Sequence, residues 1–176
     1  RHVIKFQGCY HGWHDSVAMN VISPAERVGA KDPLSQGMLP EAVDSTIVCR
    51  FNDADDVARA LAEHDVAAII LELIPHNIGA VLPEPGFLER LRELATKHGT
   101  VLIFDEVITG FRLSAGGAQA KHGVVPDLAT FAKALAAGEK LAAVAGRAEI
   151  MTRLDPARPT DVPGVFQSGT GNDGTA

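Results

Sequence analysis

Short apolar runs recur along the chain at 3–6, 46–50, 67–73, 101–104, 128–131 and 142–145, each bounded by polar or turn residues. Runs of this length that are apolar on both sides read as buried strands rather than half-exposed ones. Between them lie stretches with helical spacing. Over 54–64, Val57, Ala58, Leu61 and Ala62 form an apolar stripe behind Asp53, a residue able to cap the first turn. Over 86–98, Phe87, Leu88, Leu91, Leu94 and Ala95 share one face, and Gly99 supplies a stop. Strands alternating with helices predict an α/β fold: a mostly parallel sheet flanked by helices on both sides, its 67–104 unit crossing over right-handed. Two connections are long and rich in proline and glycine, 22–45 and 155–164. Loops of that length are usually functional or flexible.

The 176 residues suffice for one domain of ordinary size, and 46% of them are hydrophobic, enough to fill a core. Net charge is −6 with acids and bases interspersed, so no basic block points to nucleic acid or to a membrane surface. No apolar run approaches the ~20 residues of a membrane span. The two cysteines, Cys9 and Cys49, read as reduced thiols in a cytoplasmic setting. The chain opens on a strand without a methionine and stops in a glycine-rich stretch, which reads as a piece of a larger protein.

The most informative chemistry lies at 100–107, where Thr-Val-Leu-Ile-Phe runs into Asp105-Glu106-Val107. An acid at the carboxyl end of a buried parallel strand sits where such sheets collect ligands. Lys133 follows within Thr130-Phe131-Ala132-Lys133-Ala134-Leu135, whose apolar neighbours predict a poorly solvated amine. Desolvation lowers a lysine pKa and raises its nucleophilicity. A carboxylate and such a lysine are what a pyridoxal phosphate site requires, the amine to form a Schiff base and the acid to keep the pyridine nitrogen protonated. Asp105 can also be a plain helix cap at a strand end. Lys121 and Lys140 are rival lysines, the first in a polar turn and the second beside Glu139.

Tyr10 and His11 follow the first strand, on the same rim as Asp105, where an aromatic ring can stack on a flat cofactor or pack beneath a loop. Cys9, His11, His14 and Asp15 lack a second cluster with ligand spacing, so no metal is expected. Asn77 after the third strand can donate to a phenolate oxygen or sit in an ordinary turn. Glu72, near the end of an apolar strand, needs a partner if buried. Ser168-Gly169-Thr170-Gly171 is a short glycine-rich segment able to bind phosphate.

Together Tyr10-His11-Gly12, Phe104-Asp105-Glu106-Val107-Ile108-Thr109-Gly110-Phe111-Arg112, Pro126-Asp127-Leu128, Lys133 and Gly169-Thr170 resemble the class III aminotransferases, enzymes of fold type I that use pyridoxal 5'-phosphate. Gly8-Cys9-Tyr10-His11-Gly12, Pro85-Gly86-Phe87-Leu88 and Gly116-Gly117-Ala118-Gln119 look most like the glutamate-1-semialdehyde aminomutase branch. The resemblance implies that residues 1–176 are part of the large cofactor-binding domain, without the upstream phosphate loop and the C-terminal small domain. It implies Lys133 as the Schiff-base lysine and proton shuttle, and Asp105 as the partner of the pyridine nitrogen. It places Val107 and Tyr10 on opposite faces of the ring with His11 nearby, Asn77 at the phenolic oxygen, and Glu72 at the third strand's end. Thr170 is implied to reach the phosphate of a second subunit, in a homodimer with shared sites acting on a small amino compound. Two other readings stand beside this one. A degenerate domain could keep the sheet without the chemistry, or the fold could be a flavodoxin-like nucleotide binder, for which no G-x-G-x-x-G or P-loop is present.

Overall fold

The computed structural model describes residues 1–154. Six strands form one sheet: β1 (His2–Phe6), β2 (Thr46–Cys49), β3 (Val66–Glu72), β4 (Val101–Asp105), β5 (Leu128–Phe131) and β6 (Ala143–Gly146). Their order is β2-β1-β3-β4-β5-β6. All neighbours are parallel except β5 and β6, which run antiparallel. The sequence-predicted strands are all present, within a residue or so at either end. The chain steps outward from β1 to β2 and then crosses back over β1 to β3. That reversal opens a crevice at the carboxyl ends of β1 and β3, the place where open α/β sheets bind ligands. The same order occurs in doubly wound sheets of unrelated activity, so side chains must decide the chemistry.

Two helices carry most of the packing, α2 (Ala54–Glu63) and α3 (Phe87–His98). Asp53 caps α2 as its side chain accepts the Asp56 N–H. Helix α3 buries Phe87, Leu88, Leu91, Leu94 and Ala95 and ends at Gly99, whose φ of 64° is a left-handed conformation that a β-carbon disfavours. Side chains alternate along each strand, so Ile4, Phe6, Ile69, Leu71, Leu102 and Phe104 share the face under these helices, all fully buried. Each such side chain is worth about 1.5–3 kcal/mol on burial. Phe6, Phe51 and Phe87 add an edge-on aromatic cluster with centroids 5.2–6.1 Å apart.

The opposite face is less fully covered among the described residues. Among the described residues Ala68, Ile70, Val101, Ile103 and Leu128 are only half-buried there. The loop after β1 covers part of this face. Within the long 22–45 connection lie a short 3-10 turn, Ala25–Arg27, and α1 (Pro40–Asp44), neither expected from periodicity because each is too short to show it. The buried Asn20 ties this connection down, its amide donating to Gln7 and to the Ala30 carbonyl while its oxygen accepts the Asp32 N–H. Four short helical segments complete the described chain: α4 (Gly117–His122), a 3-10 turn at Lys133–Ala136, α5 (Ala148–Met151) and a 3-10 turn at Thr152–Leu154. Residues 155–164 and Thr170 lie outside the described residues. No helix among those described is long and apolar enough to cross a membrane.

Candidate active site

The strand ends converge on one cavity of about 300 Å³. Tyr10, His11 and Gly12 reach it from the loop after β1. Ile70, Glu72 and Asn77 come from β3 and the turn beyond it. Asp105, Val107 and Ile108 come from β4 and its turn, Thr130 from β5, and Lys133 from the 3-10 turn. Of the expected site residues, every one that is described therefore meets the same space, and Asp105 and Lys133 face it together. The volume is at the lower end of the range for small-molecule sites, roughly 300–1,000 Å³.

Asp105 is buried and oriented on both oxygens. Oδ1 accepts the Val107 N–H at 3.1 Å and the Thr130 hydroxyl at 3.3 Å, while Oδ2 lies 2.7 Å from His11 Nδ1. A carboxylate offers about four acceptor positions. Three are taken, and the fourth remains on a group that lines the cavity. Because an ionised carboxylate only accepts, Nδ1 of His11 carries the hydrogen. The other ring nitrogen, Nε2, is buried and has no partner among the described residues. A buried polar atom without a partner is costly and marks a place a ligand or water completes.

Glu72 finds its partner in the backbone: Oε1 accepts the Tyr10 N–H at 2.7 Å, fixing the start of the loop that carries Tyr10 and His11. In register, Glu72 pairs with Asp105 across β3 and β4, so two carboxylates occupy adjacent strand ends. Cys9 is buried beneath the same loop, which pushes its thiol up to about 12. His14 is occupied locally, its Nδ1 accepting the Ser16 N–H. No cluster of metal-ligating side chains of three or more occurs among the described residues.

Lys133 departs from expectation. It is exposed rather than desolvated, and it holds a φ of 46°. A lysine in the left-handed region is uncommon, and such strain concentrates at ligand-binding and catalytic positions. Its apolar neighbours do bury part of their own surface, and Ala136 is inside. The tight 3-10 turn nevertheless directs the lysine to the open rim.

Two motif acids have structural tasks. Glu106, fully buried, accepts the Thr109 hydroxyl at 2.6 Å and the Ala118 and Gln119 N–H groups at 2.9 and 2.8 Å, closing the first turn of α4. A β-carbon at Gly117 would lie 2.6 Å from its Oε1, which accounts for the glycine there. Asp127 joins three elements through the Leu102 N–H, Arg92 of α3 and Arg147 after β6. The residue the sequence reading missed is Lys5, whose side chain is fully buried. A single lysine inside the apolar run 3–6 was the available signal, since a buried charge demands partners.

Residues 1–170 match the family model for aminotransferase class-III. Among similar curated proteins, a glutamate-1-semialdehyde 2,1-aminomutase of Rhodopirellula baltica is 47% identical over 170 residues, covering 96% of this chain and 37% of the relative. One from Ignicoccus hospitalis is 46% identical over 172 residues, covering 97% and 39%. An omega-transaminase from Sphaerobacter thermophilus superposes with a TM-score of 0.85 at 38% identity, over 96% of this chain and 39% of that one. A glutamate-1-semialdehyde aminomutase from Pseudomonas aeruginosa in complex with PMP gives 0.75 at 31% identity, over 97% and 37%. The chain thus spans 37 to 39% of the length of these relatives.

Proposed function

Because this chain belongs to the class III aminotransferases, we propose that residues 1–176 are part of the large domain of a pyridoxal phosphate enzyme and that the cavity at β1, β3, β4 and β5 is its cofactor site. The observation that carries the reading is the meeting of Asp105, Lys133 and the unpartnered His11 Nε2 around one space. The residues present fit the cofactor: a cavity at the strand ends, a carboxylate with an acceptor position to spare, and an amine at the rim.

Pyridoxal phosphate, when bound, supplies a protonated ring that accepts electrons and a carbon that amines attack. The protein's own groups divide the remaining work. Asp105 holds negative charge for the ring nitrogen, where an opposite charge in contact shifts a pKa by about 1–3 units. His11, bonded through Nδ1, keeps that carboxylate aimed. Tyr10 and Val107 bound the two sides of the ring space, and Asn77 donates to a phenolic oxygen. Lys133 Nζ is the covalent anchor and, once released, the base that moves a proton at the substrate carbon. Glu72 holds Tyr10 in place through its backbone. Thr170 is assigned to phosphate binding across a homodimer, a role that rests on the family resemblance.

We take the reaction to be an aminomutase on a small amino compound, with the amino group returning to a neighbouring carbon of the same molecule. The 47% identity to a glutamate-1-semialdehyde 2,1-aminomutase favours this over transfer to a second substrate. A cytoplasmic homodimer completes the proposal, to be checked by light scattering of the full-length protein. The deciding experiment reconstitutes that protein with pyridoxal phosphate. A visible band that survives desalting and disappears in Lys133→Ala supports the site, and its absence in the parent refutes it. Conversion of glutamate-1-semialdehyde with no second amino donor or acceptor supports the mutase. Turnover that requires one refutes it in favour of a transaminase.

A further inference from the structure

Lys5 lies on β1 beneath the cavity loop and has no exposed surface. Its Nζ donates to the Cys9 carbonyl at 2.9 Å and to the Met19 carbonyl. These carbonyls stand at the two ends of the loop that carries Tyr10, His11 and Trp13. The ammonium therefore closes the loop from inside. Glu72 holds the same loop from the other side, through the Tyr10 N–H. Two residues beyond Cys9, His11 meets Asp105.

Resting on the cofactor reading above, we propose that Lys5 is a positioning residue: its buried ammonium clamps the loop ends and so sets His11 and Tyr10 against the ring space. Burial lowers its pKa to about 8, while the nearby Cys9 and Glu72 favour the charged form. Those two are the titratable groups that face it, one from the loop and one from β3. Cys9 stays protonated in the alkaline range because its own thiol is pushed up to about 12. The unfolded chain holds the Lys5 proton more tightly than the folded one, so the fold gains stability as pH climbs from about 8 toward 10.5. The charged form is the one the fold holds at neutral pH.

The clamp has a pH signature. Charge-assisted hydrogen bonds are roughly twice as strong as neutral ones. As Lys5 loses its proton the loop ends loosen and the site loses its ligand. The test uses full-length protein and pyridoxamine phosphate, which needs no covalent bond to Lys133, with its affinity measured by calorimetry from pH 7 to 9.5. Lys5→Met is expected to bind at least tenfold more weakly than wild type at pH 7, with the ratio shrinking severalfold by pH 9.5. Taking the ratio cancels the titration of the ligand itself. Equal affinity at pH 7, or a deficit that stays constant to pH 9.5, overturns the inference. If Lys5→Met does not fold, Lys5→Gln carries the same comparison, since it keeps two N–H donors without the charge. Its ratio to wild type must still narrow with pH. Wild-type protein that binds no pyridoxamine phosphate at any pH defeats the cofactor reading itself, a result distinct from either Lys5 outcome.

Discussion

Glu106→Gln tests the division of labour between the two adjacent acids at the end of β4. The carboxylate is fully buried, and its two oxygens receive three hydrogen bonds. A glutamine has the same shape but offers one oxygen and one NH2. With the NH2 in place of Oε1, it faces the Gln119 N–H. With the NH2 in place of Oε2, it faces the Ala118 N–H, while the Thr109 hydroxyl can turn to accept. Either orientation strands one buried backbone donor, at about 1–3 kcal/mol. Loss of negative charge at the start of α4 adds about 0.3–1 kcal/mol. The sum is about 1–4 kcal/mol, confined to the first turn of α4. Amide hydrogen exchange reads this directly, because each 1.4 kcal/mol is about a tenfold change in opening. Exchange at Ala118 and Gln119 in the full-length variant should quicken by roughly one to three orders of magnitude. Rates within threefold of wild type would refute the assignment of Glu106 as the cap of α4. Asp105→Asn should leave the same amides unchanged, since its side chain faces the cavity on the other side of the strand.

Three further outcomes follow from the geometry. Asp105→Asn keeps the side chain's shape but loses the charge and one acceptor, His11 moving its proton to Nε2 so that Nδ1 accepts the new NH2, so the full-length variant should hold pyridoxal phosphate at least tenfold more weakly by equilibrium dialysis while remaining folded by circular dichroism; undiminished affinity counts against the site. Asp127 is pushed up by burial, but the Leu102 N–H and the Arg92 and Arg147 guanidiniums outweigh this and hold its carboxyl below the usual 3.8. Its contribution to stability is present above about pH 4 and lost as pH falls through the lowered value, so Asp127→Asn should be less stable than the parent at pH 7 and converge with it in acid denaturation curves. Burial pushes both Cys9 and Cys49 up to about 12, Cys9 also feeling Glu72 and Cys49 the acids Asp56 and Asp53. Both should resist iodoacetamide at pH 8 in the native state and react after unfolding, as peptide mapping would show.

Local pattern was enough for the scaffold. Each strand is a run of apolar residues that pairs locally whatever its place in the sheet, although the antiparallel β6 is exposed where the central strands are buried, and α2 and α3 announce themselves because a 3.6-residue period, a capping Asp53 and a terminating Gly99 are neighbours in sequence. Asp105 was legible for the same reason, since a polar group at the end of an apolar run must stand at a strand end. What the sequence alone left open depended on partners far along the chain. His11 and Asp105 are separated by 94 positions and Glu72 and Tyr10 by 62, so only the parallel packing of β1, β3 and β4 brings them together. The solvation of Lys133 was misjudged, because burial of its neighbours does not bury a side chain that a turn with positive φ places at the rim of the cavity. The opposite tasks of Asp105 and Glu106 likewise arise only in three dimensions, where successive side chains at a strand end turn to opposite sides, one to the cavity and one to the first turn of a helix.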